Sequence, residues 1–293
     1  MNRFNTPTRR HFLKTITGAT AAALASPALA TSNRPDVIIG WTTWDDAEVV
    51  TKMAGRILRH AMSKDVELTL ADINAQFRTI ARGDVDVMMM SWEPDLHAPY
   101  LREHGDRLVS LGKLYDGTIG LAVPEWVPED FLNSVEDLNK PEVQEALQGT
   151  ITGIDPGAGL MATTRTAMDA YNLNGYTLQE GTGPSMMRSI ARAQQTQAPI
   201  VVTAWRPHVK FALYNMRYLE DPQGVFDGVS EIHVRANANF PSQQPEIARM
   251  LSNMTVGADD IEHILATAQN TGIDNAIDAW IGENIETVRT WYR

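Results

Sequence analysis

The sequence predicts an α/β protein of two lobes, each a mostly parallel sheet flanked by helices, with a cleft between them. Three observations carry this expectation. Short apolar runs of strand length alternate with stretches of helical period, the pattern of βαβ units. The pattern occurs in two successive sets, separated by the apolar segment "IGLAVP", which reads as a strand leaving the first lobe. About 260 residues remain once an N-terminal leader is set aside, enough for two cores of ordinary size.

In order along the chain, Val37, Ile38 and Ile39 begin the first strand. A helix follows from about Asp46, in which Val49, Val50, Met53, Ala54, Ile57, Leu58 and Ala61 share one face. Asp45 is placed to cap it. "VELTL" is the second strand, a helix lies near Gln76 to Ala81, "DVDVMMM" is a third strand, and a short helix lies near Pro99. The second set comprises a helix opened by "SVEDLNK", the strand "TITGI", a glycine turn "DPGAG", helices near Leu160 to Tyr171 and Ser185 to Gln194, and the strand "PIVVTAW". After Leu219 the chain is expected to return to the first lobe through "EIHV". It then closes with helices from about Pro245 and Asp259 and a terminal one from about Asn275 to Tyr292. The lobes are accordingly expected at 36–120 plus 228–293 and at 121–227, with crossovers near residues 120 and 225. No internal repeat or low-complexity segment interrupts them.

Residues 1–30 have the form of a twin-arginine signal peptide. Arg9 and Arg10 precede Phe12, Leu13 and Lys14, an apolar stretch too mild to span a membrane follows from Thr15 to Leu24, and Ala28-Leu29-Ala30 offers a small-x-small cleavage site after Ala30. The chain has no cysteine, hence no disulfide framework and no lipid-anchored cysteine. The mature protein is therefore expected free in the periplasm, as a monomer. Removing Arg3, Arg9, Arg10 and Lys14 takes the formal charge from −11 to −15, which disfavours nucleic acid and anionic membrane surfaces as partners.

Four of the seven tryptophans follow or nearly follow an expected strand: Trp41 and Trp44 in "GWTTWDD", Trp92 in "SWEPDLH" and Trp205 in "AWRPH". Strand ends are where open α/β sheets bind ligands. Any single tryptophan there also serves as core filling. As a set they point to a cleft, because Pro94 and Pro207 stand two residues beyond Trp92 and Trp205 and end the strands, which suggests rim positions. A cluster of indole faces suits a quaternary ammonium group, which has no N–H to donate and is recognised by cation–π attraction and apolar contact.

"IDPGAGLM" adds an anion site. Gly157 and Gly159 relieve the turn of side chains, and it opens a helix whose first amides have no internal partner. An ordinary strand-to-helix turn has the same composition. The segment lacks the Lys-Ser/Thr of a phosphate loop and the spacing of a dinucleotide fingerprint, so a carboxylate fits it better than a nucleotide, and no cofactor is expected.

The segments "GWTTWDDAE", "DVMMMSWEPDLH", "IGLAVP", "SVEDLNK", "ITGIDPGAGLM" and "PIVVTAWRPH" together resemble those of glycine betaine-binding proteins of ABC importers, over about residues 36 to 250. The resemblance implies a two-lobed periplasmic binding protein fold, a small quaternary-ammonium ligand and the membrane subunits of an ABC importer as partner. It implies that Trp44, Trp92 and Trp205 cage the ammonium group, and that the amides of Gly159 and Leu160 together with His97 hold the carboxylate. By itself His97 reads as a surface-loop residue. The related choline-binding proteins carry a tryptophan where Trp41 stands, an acid where Thr43 stands and an asparagine where Ala158 stands. The resemblance thus disfavours choline, and Trp41 is either a fourth wall or a support for Trp44.

A two-lobed exported enzyme is the alternative class, and a sensor presented to another protein is a third. No G-x-S-x-G, H-E-x-x-H or C-x-x-C occurs and the seven histidines have no metal-ligand spacing, so neither catalytic residues nor a metal are expected. Asp84 and Asp86 read as a solvated edge, and Asp45 with Asp46 as a helix cap. Carnitine, choline and trimethylamine N-oxide remain alternative ligands, because pocket volume depends on packing.

Overall fold

In the computed structural model, which describes residues 34–293, the apolar run after Asp36 forms β1 (Val37–Trp41). The expected signal peptide lies outside the described residues. Helix α1 (Asp45–Ala61) buries Val49, Val50, Met53, Ala54, Ile57 and Leu58 on the face that the sequence pattern assigns to it, whereas Ala61, expected on the same face, is exposed at the helix end. Its N-cap is Trp44 and not Asp45, and no side chain caps it. Asp45, Asp46 and Glu48 occupy the first turn, where acidic groups complement the helix dipole. Strand β2 (Val66–Leu70) lies parallel to β1. Helix α2 (Ile73–Arg82) starts at Asp72, whose carboxylate accepts the Ala75 amide, and stops at Gly83 in the left-handed region. Strand β3 (Val87–Glu93), buried at every residue, is parallel to β1, and this double-sided burial explains the unbroken run of Met88, Met89 and Met90. Helix α3 (Ala98–His104) follows.

The long strand β4 (Leu108–Pro124) joins two halves of one sheet. Beyond it a 3-10 helix (Val135–Asn139), capped reciprocally by Ser134 and Asp137, leads to α4 (Pro141–Ala146). The second half then contains β5 (Thr150–Thr152), α5 (Gly159–Ala170), β6 (Thr177–Gln179), α6 (Gly183–Thr196), β7 (Val202–Arg206), α7 (Lys210–Tyr214) and β8 (Met216–Tyr218). Strand β9 (Ser230–Asn237) returns to the first half, as "EIHV" suggested. Helices α8 (Phe240–Gln243), α9 (Pro245–Asn253), α10 (Ala258–Thr271), α11 (Ile273–Glu283) and α12 (Ile285–Tyr292) complete the chain.

The strand order is β2-β1-β3-β9-β4-β7-β5-β6, with β8 also on β4. The strands outside the crossing region are parallel: β1 with β2 and β3, and β5 with β6 and β7. The crossing strands are antiparallel to their neighbours, so the sheet is mixed. β4 pairs with β9 as far as Gly117 and with β7 from Thr118 onward. Antiparallel pairing needs no helical crossover, which suits strands that carry the chain between halves. A bidentate pair from Arg235 to Glu93, at 2.7 and 2.6 Å, ties β9 to β3.

Two local expectations change. The terminal helix is broken at Asn284, whose side-chain amide bonds the Trp280 carbonyl, and the break lets Trp291 stack on Trp280 with ring centroids 6.3 Å apart. Asp86 is buried, and its carboxylate accepts the Ile38 amide at 2.8 Å, so of the expected solvated pair only Asp84 is exposed.

Gly117 stands where β4 changes partner. A Cβ there would lie 2.6 Å from the Trp92 ring and 2.9 Å from the Arg206 carbonyl. Gly117→Ala is therefore expected to destabilise the fold by about 1–3 kcal/mol through overpacking, as read by urea unfolding; an unchanged midpoint would show that Trp92 has room to move.

Candidate ligand-binding site

A cavity lies between the two halves of the sheet. The first half contributes Trp44 at the start of α1, Trp92 near the end of β3, and Leu96 and His97 just before α3. The second contributes Ile154 after β5, Ala158, Gly159 and Leu160 at the start of α5, and Trp205 in β7. Ile119 of β4 completes the wall and is the ladder partner of Trp205. Six of the seven residues singled out from the sequence thus meet in one place. Trp41 is the exception. As the last residue of β1 it pairs with Leu70 and packs, half-buried, on the core, while its carbonyl accepts bonds from the Ala71 amide and the Gln76 side chain.

The three cavity tryptophans are buried walls and not rim residues, with Trp44 5%, Trp92 3% and Trp205 4% exposed. Trp92 and Trp205 lie within their strands, which end at the cis peptides Glu93-Pro94 and Arg206-Pro207. The Trp44 indole N–H donates to Asp155 at 3.2 Å, and its ring stacks on His97 with centroids 6.0 Å apart. The Trp205 indole N–H donates to Asp46 at 3.0 Å. Lys210 Nζ sits 3.9 Å from the centre of the same ring, and His208 meets it edge-on at 4.3 Å.

A buried ionic layer therefore backs Trp205. Asp46, 0% exposed, accepts the Tyr115 hydroxyl at 2.6 Å on its second oxygen. Burial raises its pKa, opposed by the hydrogen bonds from Tyr115 and Trp205. Asp45 is raised to about 6, first by burial, with Lys210 acting against the rise. Burial lowers Lys210, and the nearby Asp45 and Asp46 resist that fall. His208 is neutral because burial and Lys210 both lower its pKa, and its Nδ1 accepts the Lys210 amide at 3.0 Å. Its 3.4 Å approach to Asp45 is consequently not an ion pair.

The opposite end of the cavity offers donors without charge. Ala158 caps α5 with no side-chain oxygen, so the first-turn amides of Gly159 and Leu160 are available to a ligand oxygen. Gly159 is sterically required, since a Cβ there would lie 2.4 Å from the Leu96 carbonyl oxygen. His97 is 1% exposed and not on the surface, and burial lowers its pKa to about 3. Its Nδ1 accepts the Trp92 amide at 3.0 Å, so the neutral ring carries its proton on Nε2 as a donor. No Asp, Glu, Lys or Arg side chain lines this cavity. Among the described residues no group of three or more potential metal ligands is assembled, and no helix is long and apolar enough to cross a membrane.

Leu96, Ile119 and Ile154 were not singled out from the sequence, whereas Ala158 was, as the position that carries asparagine in the choline-binding proteins. Ala158 and Leu96 sit inside the tryptophan and glycine segments, which signal them, whereas Ile119 is indistinguishable from any apolar strand residue. A second, larger cavity shares Trp44 and is lined by Thr43, Asp72, Asp155 and Thr182 among others.

His97 makes stability pH-dependent. Between its ordinary value of 6.5 and about 3, the unfolded chain takes up a proton that the folded ring refuses, so stability from this group is complete above pH 6.5 and falls as pH drops. Asp45, raised to about 6, acts in the opposite sense, so a variant comparison isolates the histidine. The loss of unfolding free energy from about pH 7.5 to about pH 4.5 is expected to be about 2 kcal/mol smaller in His97→Asn than in the wild type, as read by urea titration. Equal losses would mean that the ring is protonated in the fold.

Known proteins share this architecture. The profile for the substrate binding domain of ABC-type glycine betaine transport systems matches residues 35–283. The glycine betaine/carnitine transport binding protein GbuC of Listeria monocytogenes is 31% identical over 156 residues, 52% of this chain and 52% of that protein, so the match spans about half the length of that relative. Lactococcal OpuAC, in a closed-liganded crystal structure with glycine betaine, superposes with a TM-score of 0.80 at 26% identity, covering 88% of this chain and 99% of that one. ProX of Borrelia burgdorferi, a glycine betaine/L-proline-binding protein, has the same fold, with a TM-score of 0.79 at 22% identity over 88% and 96% of the two chains. The mixed sheet with flanking helices is that of the two-lobed periplasmic binding proteins. The chain belongs to the family of substrate-binding domains of ABC-type glycine betaine transport systems.

Proposed function

We propose that this protein, exported to the periplasm, captures glycine betaine or a closely related quaternary-ammonium zwitterion and delivers it to the membrane subunits of an ABC importer. One observation carries the ligand assignment. Three indoles and three uncharged N–H donors line a single cavity that has no formally charged side chain on its wall. Such a wall matches a ligand whose own charges cancel. The ammonium group would rest against Trp44, Trp92 and Trp205, each desolvated face contributing about 0.5–2 kcal/mol. The carboxylate would take the amides of Gly159 and Leu160 and the Nε2–H of His97. Trp41 would support Trp44 from outside the cavity. Choline has no carboxylate for these donors, and leaving them unpaired is costly.

The proposed mechanism is closure of one lobe, 36–120 plus 228–293, on the other, 121–227. The ligand favours the closed state through contacts that it makes with both. Protein contacts between the halves would add to these, and at Gly159 a Cβ would lie 2.4 Å from the Leu96 carbonyl oxygen. Carnitine is a second reading, favoured by the likeness to the glycine betaine/carnitine transport binding protein GbuC.

Calorimetry checks the cage. Trp92→Ala is expected to cost about 1–3 kcal/mol of glycine betaine binding, and choline to bind the wild type at least about tenfold more weakly than glycine betaine. Equal affinities for the two ligands would remove the carboxylate site. Small-angle scattering checks closure: glycine betaine should compact the wild type but not Gly159→Ala, whose methyl group would meet Leu96. Equal compaction of both would place the closing contact elsewhere.

A further inference from the structure

Two of the cavity tryptophans are tied by bonds that cross between the halves of the sheet, and the bonds run in opposite directions. Trp44, beside β1, donates its indole N–H to Asp155, in the turn after β5. Trp205, in β7, donates its own to Asp46, on α1. Asp46 is fully buried, and its second oxygen takes the Tyr115 hydroxyl from β4, so the carboxylate is itself held in place. With Lys210 against the rear of Trp205 and His208 at its edge, the ring keeps one face for the cavity.

We propose that Asp46 and Asp155 are positioning residues that make the tryptophan cage conditional on closure, each holding from one half an indole that belongs to the other. This rests on the closure of the two halves around a quaternary-ammonium zwitterion. An indole whose N–H bonds only water keeps its side-chain torsions free, whereas a charge-assisted bond to a fixed carboxylate selects one orientation. Opening the halves would break both bonds together and release Trp44 and Trp205. The cage would therefore be complete only in the state that the ligand stabilises. Asp46 also lies in the first turn of α1, where a carboxylate complements the helix dipole whatever Trp205 does. The two roles separate experimentally, because only the positioning role acts through the indole N–H.

The test uses the full mature chain, calorimetry with glycine betaine, and proton–nitrogen spectra of the indole N–H groups. Asp46→Asn is expected to raise the dissociation constant by about tenfold or more and to move the Trp205 indole resonance upfield. In a Trp205→Phe background, which has no indole N–H, the same change should shift affinity less than about twofold. Asp155→Asn should move the Trp44 resonance and leave that of Trp205 in place. An equal loss of affinity in both backgrounds, or an unmoved Trp205 resonance, would overturn the proposal and leave Asp46 a helix-dipole residue. If Asp46→Asn does not fold, Asp155→Asn paired with Trp44→Phe makes the same comparison at a half-exposed site. If the wild type does not bind glycine betaine, the ligand assignment fails, and the indole spectra of wild type and Asp46→Asn are compared instead with whichever of carnitine, choline or trimethylamine N-oxide binds: a moved Trp205 resonance upholds the bond and an identical one overturns it.

Discussion

Enclosing a cavity with indoles sets the problem around which much of this molecule is arranged. Each buried indole brings an N–H that needs an acceptor, and a polar group buried without one is costly. Trp44 and Trp205 meet that need with carboxylates, Asp155 and Asp46. Burying Asp46 creates a second need, answered by the hydrogen bonds from Tyr115 and Trp205, with Lys210 nearby. Lys210, also fully buried, is in turn balanced by Asp45 and Asp46 and lies against the Trp205 ring.

The outcome is a cavity with uncharged walls and charges one layer behind them. That arrangement has a physical logic for a zwitterion. A bare charge on the wall would favour one end of such a ligand and repel the other, while ring faces and N–H groups attract each end by partial charges alone. His97 illustrates the economy. Its burial removes the charge that a histidine usually carries in mild acid, and the bond from the Trp92 amide decides which nitrogen keeps the proton.

The same constraint reaches the backbone. β4 changes partner from β9 to β7 next to the cavity and carries Gly117 against the Trp92 ring, so the strand that joins the halves also shapes one wall. Gly159 has no side chain because the Leu96 carbonyl of the opposite half occupies that space. Loss of a methyl group there is a requirement of two halves meeting, not of the turn alone.

The amino-acid sequence by itself determined the strand and helix alternation, the tryptophans at strand ends and the glycine turn opening α5, because periodicity and turn chemistry are local properties. Its resemblance to a known family reached His97, which local chemistry alone would have left on the surface. Only the tertiary structure decided that Trp41 is not among the residues lining the cavity, that Trp92 and Trp205 are buried walls, and that Asp46 is an indole acceptor and no helix cap. Each depends on which side chains from distant segments converge, and the partners of Asp46 lie 69 and 159 residues away. The antiparallel crossing strands and the break at Asn284 were hidden for the same reason: long-range pairing and the stacking of Trp280 on Trp291 chose them over local propensity.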